Sequence, residues 1–201
     1  MSESSMNLPI ACTLELPAWV APFLSAWETP LSTISQRMQL AISLSAENVS
    51  QQTGGPFAAL VVNEETAELV SVGMNLVTSS GMSIAHAEMV ALSLAQVAGG
   101  EWNLTKSGVL QLITTCEPCA MCFGAVPWSG VKSLICGARK KDAESAGFDE
   151  GDKPDNWVVS LQRRGIVVQC SVMRAEAAAV LALYGESGGT IYNSGDEVDR
   201  P

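Results

Sequence analysis

The feature that most constrains this chain is a cysteine-rich stretch at residues 114–128, with the sequence T-T-C-E-P-C-A-M-C-F-G-A-V-P-W. Within it Cys119 and Cys122 stand three residues apart, and His86 is the only histidine among the 201 residues. One nitrogen and two sulfur ligands leave a tetrahedral zinc one ligand short, as in catalytic sites, whereas structural sites have four protein ligands. The pattern therefore predicts one catalytic Zn²⁺ per chain, held by His86, Cys119 and Cys122.

Both halves of this predicted site have the character of helix starts. Pro118 suits the first turn of a helix, which then projects Cys119 and Cys122 from one face. A second, apolar helix is predicted over residues 84–98, with His86 and Glu88 in its first turn. Since Glu88 is not needed as a ligand, we interpret it as the acid/base that takes a proton from water and returns one to a departing amine.

Each half of the pattern also has a simpler interpretation. A lone histidine is usually an ordinary core or surface residue, and two cysteines three apart in a helix are often only packed there. Both halves together, in order and each at a strand-to-helix junction, favour the metal site. Cys116 is expected to end a strand rather than bind the metal. A disulfide is not expected, because nothing in the sequence resembles a secretory signal.

Charge limits what such a site acts on. Eleven basic and twenty-one acidic residues give a net charge of −10, and nucleic-acid binding draws its affinity from neutralised phosphates. The N-terminus M-S-E-S-S has no basic region, and no apolar run reaches the length of a membrane span. We therefore expect a cytoplasmic protein that acts on a free base or nucleoside, without a nucleic-acid or membrane partner.

The order of apolar runs and turns predicts an α/β fold. A strand, a helix and a strand around the cysteines form a crossover unit, which makes those strands parallel. The expected fold is one α/β domain with a five-stranded mixed sheet and helices on both faces. Its predicted strands are 57–63 and 68–75, which form a hairpin, then 109–115, 131–138 and 166–172. Its other predicted elements are a helix over 31–51 behind a Thr29-Pro30 cap, loops at 73–81 and 143–157, and helices near 156–163 and over 175–184.

Two extensions flank the core domain, which is predicted to span residues 29–185. Residues 1–28 contain prolines that exclude a long regular helix and large aromatics that avoid water. This arm is expected either to pack on the body or on a partner subunit, or to be a partly ordered tail. Residues 186–201 form a polar, glycine-rich tail apart from Ile191 and Tyr192.

Five segments of the sequence carry a family resemblance: G-G-P-F-A-A (54–59), G-M-N (73–75), A-H-A-E (85–88), E-P-C-A-M-C-F-G-A-V-P-W-S-G-V (117–131) and G-F-D-E-G (147–151). The order H-x-E followed by P-C-x-x-C is the signature of zinc-dependent base deaminases. The chain resembles the cytidine-deaminase-like superfamily, and within it the short bacterial guanine deaminases. This resemblance implies a three-layer α-β-α fold, the three zinc ligands proposed above, and Glu88 as the proton shuttle.

The resemblance also implies residues that contact the substrate. Phe57 matches an aromatic that stacks on the purine ring, Asn75 matches an amide that hydrogen-bonds the base, and Ala87 belongs to the same pocket. A loop that closes over guanine is matched by Phe148, Asp149 and Glu150, and there an acidic residue, taken as Glu150, assists the departing amino group.

The family is typically a homodimer in which C-terminal segments cover the partner's active site. Residues 190–193, with Tyr192 at their centre, are therefore expected to act in trans. The implied reaction is the hydrolysis of guanine to xanthine and ammonia. Guanosine, cytosine and a triazine such as ammeline are alternative substrates, since only the shape of the pocket distinguishes them. An inactive, zinc-stabilised binding protein is a further alternative, against which an intact Glu88 argues.

Overall fold

A computed structural model describes residues 8–193 of the chain. Its sheet consists of β1 (Ala58–Asn63), β2 (Leu69–Met74), β3 (Leu110–Cys116), β4 (Ser133–Ala138) and β5 (Val167–Gln169). The strand order is β2-β1-β3-β4-β5. The β1–β2 and β1–β3 pairs are antiparallel, whereas β3–β4 and β4–β5 are parallel. The predicted mixed sheet is confirmed, although β5 is shorter than the predicted strand.

Helices cover both faces of the sheet, because alternate strand residues point to opposite sides. Leu60 and Ile113 belong to one buried cluster with Leu44, whereas Val61 and Leu112 belong to another with Ala91. The predicted three-layer α-β-α arrangement is therefore confirmed. The helices are α1 (Val20–Ser25), α2 (Ile34–Ser50), α3 (Val77–Ser80), α4 (Ala87–Gly99), α5 (Ala120–Ser129), α6 (Lys140–Ser145), α7 (Trp157–Gln162) and α8 (Arg174–Glu186), with a 3₁₀ turn at Leu104–Ser107.

Helix α2 begins later than predicted, because Thr33 and not Thr29 caps it. The Thr33 hydroxyl oxygen accepts the Gln36 N–H, and the Gln36 side chain accepts the Thr33 N–H. This reciprocal pair satisfies two backbone donors that a helix start otherwise leaves without partners. The predicted cap at Thr29-Pro30 is wrong. Thr29 and Pro30 suit a helix start, but no glutamine stands three residues after Thr29 to complete the pair of hydrogen bonds that Gln36 forms with Thr33.

Two segments that were predicted as loops contain short helices. Helix α3 lies inside the predicted loop 73–81, and α6 extends into the predicted loop 143–157. In α6 the Asp142 carboxylate accepts the Arg139 N–H at 2.8 Å and two hydrogen bonds from the Arg174 guanidinium. An acidic residue in a first turn satisfies free backbone donors there. The hydrogen bonds from Arg174 come from α8, which is distant in the sequence. This explains why local sequence patterns do not predict α6.

The aromatic residues of the N-terminal arm pack on the body of their own chain. Trp19, Phe23 and Trp27 contact the buried cluster that contains Met38 and Leu44 of α2. The Trp19 Nε1–H also donates to the Thr53 hydroxyl at 3.0 Å. The arm thus packs on its own chain from Leu14 to Trp27, whereas residues 8–13 are exposed and residues 1–7 and 194–201 lie outside the described part. Within residues 8–193 no helix has both the length and the apolar character that crossing a membrane requires.

Candidate active site

Two helix N-termini meet near the carboxyl end of β3, and each begins at a candidate metal ligand. His86 is the N-cap of α4 and Cys119 is the N-cap of α5. The partial positive charge at a helix start favours thiolates there. The predicted helix starts are thus displaced slightly: Pro118 precedes the cap of α5, and His86 stands before the first turn of α4. Gly73 allows α4 to lie close to β2, since a Cβ there would collide with backbone atoms of Ala87 and Ala91.

The three predicted ligands converge on one point. The ligand atoms of His86, Cys119 and Cys122 all lie within 4.8 Å of one another, and Cys119 Sγ is 3.5 Å from His86 Nδ1. A tetrahedral zinc with ordinary bond lengths needs about 3.6 Å between a sulfur and a nitrogen ligand. The arrangement therefore fits zinc with one coordination position left over. Cys116 ends β3 as expected, and its Sγ–H points to the Arg139 carbonyl oxygen at 3.7 Å instead.

The two ligand thiols differ in proton affinity. A hydrogen bond from Cys122 is the main reason why the pKa of Cys119 falls to about 4. The same bond, with burial, raises the pKa of Cys122. Burial lowers the pKa of His86, but its hydrogen bond to Cys119 and the surrounding negative charge outweigh that and raise it. One thiolate is thus ready to bind a metal, and binding would release the proton of the other.

Glu88 occupies the first turn of α4, directly beside the ligand cluster. It is 6% exposed, and it shares a hydrogen bond with Cys122. Burial is the main reason why the pKa of Glu88 is raised, and the charge of Cys119 adds to it. A carboxyl group whose pKa is raised in this way is suited to accept and return a proton.

A pocket of about 320 Å³ opens beside the ligand cluster. This volume lies near the lower end of the range, about 300–1,000 Å³, that is typical of small-molecule sites. Besides His86 and Cys119, every predicted contact residue lines it: Phe57, Asn75, Ala87, Glu88, Phe148, Asp149, Glu150 and Tyr192. Cys122 is fully buried. The pocket also has lining residues that were not predicted, among them Cys116, Glu117 and Met121, and Asn193 from the predicted segment 190–193 lines it as well.

Aromatic rings form one side of the pocket. The Phe57 and Phe148 rings meet edge to face with centroids 4.9 Å apart, and the Tyr192 ring lies 5.3 Å from that of Phe148. Phe148 is buried, whereas Phe57 is partly exposed. The arrangement provides an apolar wall for a flat ring, beside two carboxyl groups and a metal site.

Glu150 is the second carboxyl group at the pocket. Although it belongs to an irregular segment, it is only 6% exposed. Burial raises the pKa of Glu150 to about 8, with the charges of Cys119 and Glu88 adding to the effect. The neighbouring Asp149 is exposed, and its carboxylate accepts the Gly151 N–H at 2.9 Å. Both residues line the pocket, and of this acidic pair only Glu150 is buried.

The end of the described chain covers this pocket. Tyr192 lies with its ring centroid 6.1 Å from that of His86. The Asn193 side chain accepts the Asp149 N–H and donates to the Gly147 carbonyl oxygen, each at 2.9 Å. In this single chain the segment lies over its own pocket, so its predicted action on a partner subunit stays a prediction.

A buried amide outside the pocket holds one of its walls, and the sequence reasoning missed it. Asn48 Nδ2 donates to the carbonyl oxygens of Gly55 and Asn75, at 2.9 and 3.0 Å. Its Oδ1 accepts the Thr53 hydroxyl at 2.7 Å. The buried face of α2 also carries the polar residues Arg37 and Ser45, so nothing in the sequence distinguishes Asn48.

Comparison with known proteins gives concordant matches. Residues 31–138 match the zinc-binding region of cytidine and deoxycytidylate deaminases. The guanine deaminase of Bacillus subtilis is 37% identical over 123 residues, which cover 58% of this chain and 76% of that protein. The solved structure of the guanine deaminase from Nitrosomonas europaea is 39% identical, with a TM-score of 0.83 and coverage of 90% of this chain and 99% of that one.

A relative with another named activity matches at lower identity. The tRNA-specific adenosine deaminase of Buchnera aphidicola is 31% identical over 127 residues, which cover 63% of this chain and 78% of that protein.

Proposed function

Since this chain belongs to the zinc-dependent cytidine and deoxycytidylate deaminase family, we propose that it hydrolyses guanine to xanthine and ammonia. The observation that carries the proposal is the pairing of two buried carboxyl groups, Glu88 and Glu150, with a zinc triad around one pocket. Similarity to guanine deaminases over nearly the whole length of the structure from Nitrosomonas europaea supports the choice of guanine.

His86, Cys119 and Cys122 would hold the zinc. Bound zinc lowers the pKa of a coordinated water toward about 7 and so supplies the nucleophile at neutral pH. Glu88 takes the proton of the water that attacks C2 and delivers it to the neighbouring ring nitrogen. Glu150, kept neutral by burial, then protonates the departing amino group. As the amino group leaves as ammonia, the proton of the C2 hydroxyl returns to Glu150, so the water oxygen ends as the C2 carbonyl of xanthine and both carboxyl groups regain their starting protonation.

The remaining pocket residues orient the base. Phe57 and Phe148 present the apolar wall against which a purine ring stacks. The Asn75 side-chain oxygen already accepts the Val77 N–H at 3.2 Å, which leaves its Nδ2 to donate to the base. Asp149, Ala87 and Tyr192 also line the pocket.

A free base fits the chain better than a polynucleotide. The net charge of −10 opposes binding to a phosphate backbone. The pocket is small, about 320 Å³, with Tyr192 and Asn193 in its lining, which suits a free base. We therefore propose a role in nucleobase breakdown in the cytoplasm, with guanosine, cytosine and ammeline as the substrates to be tested against guanine.

We also propose that the protein is a homodimer with a core domain at residues 29–185, whose tail, 186–201, covers the partner's pocket. Helix α5 supports this, since it exposes two large apolar side chains, Met121 and Trp128, the latter 82% exposed. Met121 also lines the pocket. A second copy that docks on this face of α5 would thus stand next to the pocket that its tail is proposed to cover.

The test is ammonia release by purified protein of known zinc content, with guanine, guanosine, cytosine, adenine and ammeline compared side by side. Guanine is expected to be turned over fastest. The Glu88→Gln variant should keep its zinc and lose about 10²- to 10⁴-fold in kcat, which is the usual contribution of a positioned acid/base. Deamination of another base with guanine untouched would refute the substrate, and full activity of Glu88→Gln would remove that residue from the mechanism.

A further inference from the structure

The segment that carries Glu150 is attached to the peptide groups on both sides of the metal ligand Cys119. On one side the Ala120 N–H donates to the Glu150 carbonyl oxygen at 2.9 Å. On the other side the Lys153 Nζ donates to the Pro118 carbonyl oxygen at 2.7 Å. These two peptide groups directly precede and follow Cys119. Residues 150–153 are therefore hydrogen-bonded to the backbone on both sides of this metal ligand.

Lys153 is held in place by more than this one bond. Its Nζ lies 4.4 Å from the centroid of the Trp157 ring, and Trp157, the first residue of α7, is only 6% exposed. An ammonium group over an aromatic face is attracted to it, most strongly where water is partly excluded. The backbone N–H of Lys153 also donates to the Gly151 carbonyl oxygen at 3.0 Å. A long, flexible side chain is thus fixed between a buried ring and the start of α5.

The partners of this ammonium group are a carbonyl oxygen and a ring, both of them neutral. Within residues 8–193 Lys153 forms no ion pair with a carboxylate, in contrast to Lys140, which pairs with Glu144 at 3.4 Å. Its charge is therefore not cancelled locally. Its positive charge lowers the pKa of the Glu150 carboxyl, against the larger effect of burial.

We propose that Lys153 is a positioning residue. It anchors the Glu150 segment to the backbone around Cys119 and so holds the Glu150 carboxyl in a fixed position beside the metal ligands. A further bond holds the same segment, since Lys140 Nζ donates to the Gly151 carbonyl oxygen at 3.1 Å, but Lys153 donates to the peptide group that precedes Cys119. Its effect on turnover rests on the proposed function of Glu150 in guanine deamination.

The anchoring is tested by amide hydrogen exchange, measured by NMR on the zinc-loaded protein. Lys153→Met keeps the aliphatic stem over Trp157 but removes the ammonium group. We expect the Ala120 amide to exchange about tenfold faster in this variant, since a hydrogen bond from a charged donor is lost next to it. Lys153→Arg should restore most of the protection, and Lys141→Met, which removes an exposed charge nearby, should leave it unchanged.

Two results would overturn the anchoring. Unchanged exchange at Ala120 in Lys153→Met would show that the Glu150 segment stays in place without the ammonium group. Faster exchange across the strands as well as α5 would show a general loss of stability instead of a local release.

The kinetic part is tested by a double-mutant cycle on guanine. Lys153→Met should lower kcat about tenfold, yet by less than about twofold when Glu150→Gln is already present, because the two residues act through one group. Independent effects that multiply would refute action through Glu150. Should the unmodified protein release no ammonia from guanine, the proposed function fails, whereas the exchange experiment still decides the anchoring.

Discussion

Asn48 shows how a residue outside the pocket determines the backbone that lines it. Its amide is fully buried and donates to Gly55 and Asn75, while it accepts from Thr53. The same Thr53 hydroxyl accepts the indole N–H of Trp19. A chain of hydrogen bonds therefore runs from the N-terminal arm to Asn75, a proposed contact of the base.

Replacing Asn48 by alanine should both destabilise the protein and weaken substrate binding. The Asn75 carbonyl oxygen would lose this donor, whereas that of Gly55 keeps the Phe57 N–H; a buried acceptor left without its partner costs about 1–3 kcal/mol in the free energy of unfolding. We expect KM for guanine to rise as the Asn75 backbone loosens. Urea unfolding and steady-state kinetics measure the two effects. Gln51→Ala is the control, because Gln51 belongs to the same helix end but bonds only to the exposed Glu47 side chain; equal effects of both changes would contradict the prediction.

The metal ligands were predictable at this scale because their signature is local. Cys119 and Cys122 are three residues apart, and His86 and Glu88 are two apart, so each pair is placed by one helix start. Asn48 and Lys153 bond to partners 27 and 35 residues away. One of several polar residues in a helix and a lysine in an acidic loop carry no local sign of such partners. They therefore become apparent only once the fold has brought those partners together.

At the scale of elements, the start of α2 depends on one reciprocal pair of hydrogen bonds. Thr33→Ala removes the acceptor of the Gln36 N–H, and loss of such a cap costs about 1 kcal/mol. Thermal unfolding should show a lower Tm for Thr33→Ala. The matched variant Thr29→Ala should leave Tm nearly unchanged, since Thr29 caps no helix. A larger decrease in Tm for Thr29→Ala than for Thr33→Ala would indicate that Thr29 caps the helix, as the sequence predicted.

The contact between α6 and α8 makes stability depend on pH. The Arg174 guanidinium beside Asp142 lowers the pKa of that carboxyl from its ordinary 3.8 to about 2. Because the folded-state pKa is lowered, the pair stabilises the fold fully above about pH 4, and the stabilisation disappears as pH falls towards 2. Asp142→Asn should therefore have a lower Tm than the unmodified protein at pH 6. The difference should shrink to nothing near pH 2; a constant difference across this range would refute the assignment.

The same contact explains why the layers were predictable but the ends of some elements were not. Apolar runs such as 58–63 and 110–116 are readily predicted as strands. Successive side chains of a strand point to opposite faces of the sheet, so helices are expected on both faces. Helix α6 is six residues long and highly charged, so it has no apolar period to detect. What stabilises it is Arg174, which follows in the chain only after β5.

At the scale of the whole molecule, the proposed exchange of tails between subunits predicts complementation. One chain would carry Glu88→Gln with its tail intact, and the other would keep Glu88 but end at Glu186. Neither homodimer should be active. If tails act in trans, the mixed dimer regains one complete site, because the first chain covers the intact site of the second. Ammonia release from the purified mixed dimer measures this, and no activity in the mixture would show that each tail serves its own chain.

Tyr192 and Asn193 lie over the pocket at the end of the described chain. Entry of guanine and release of xanthine are therefore expected to depend on the movement of this segment. Asn193 holds this chain end against residues 147 and 149 by two hydrogen bonds of 2.9 Å, and we expect the end to leave the pocket wall only when both are broken. Segment movements of this kind take microseconds to milliseconds, and release of product often limits turnover in enzymes with a mobile segment over the site. We therefore expect turnover to fall as the viscosity of the solvent rises.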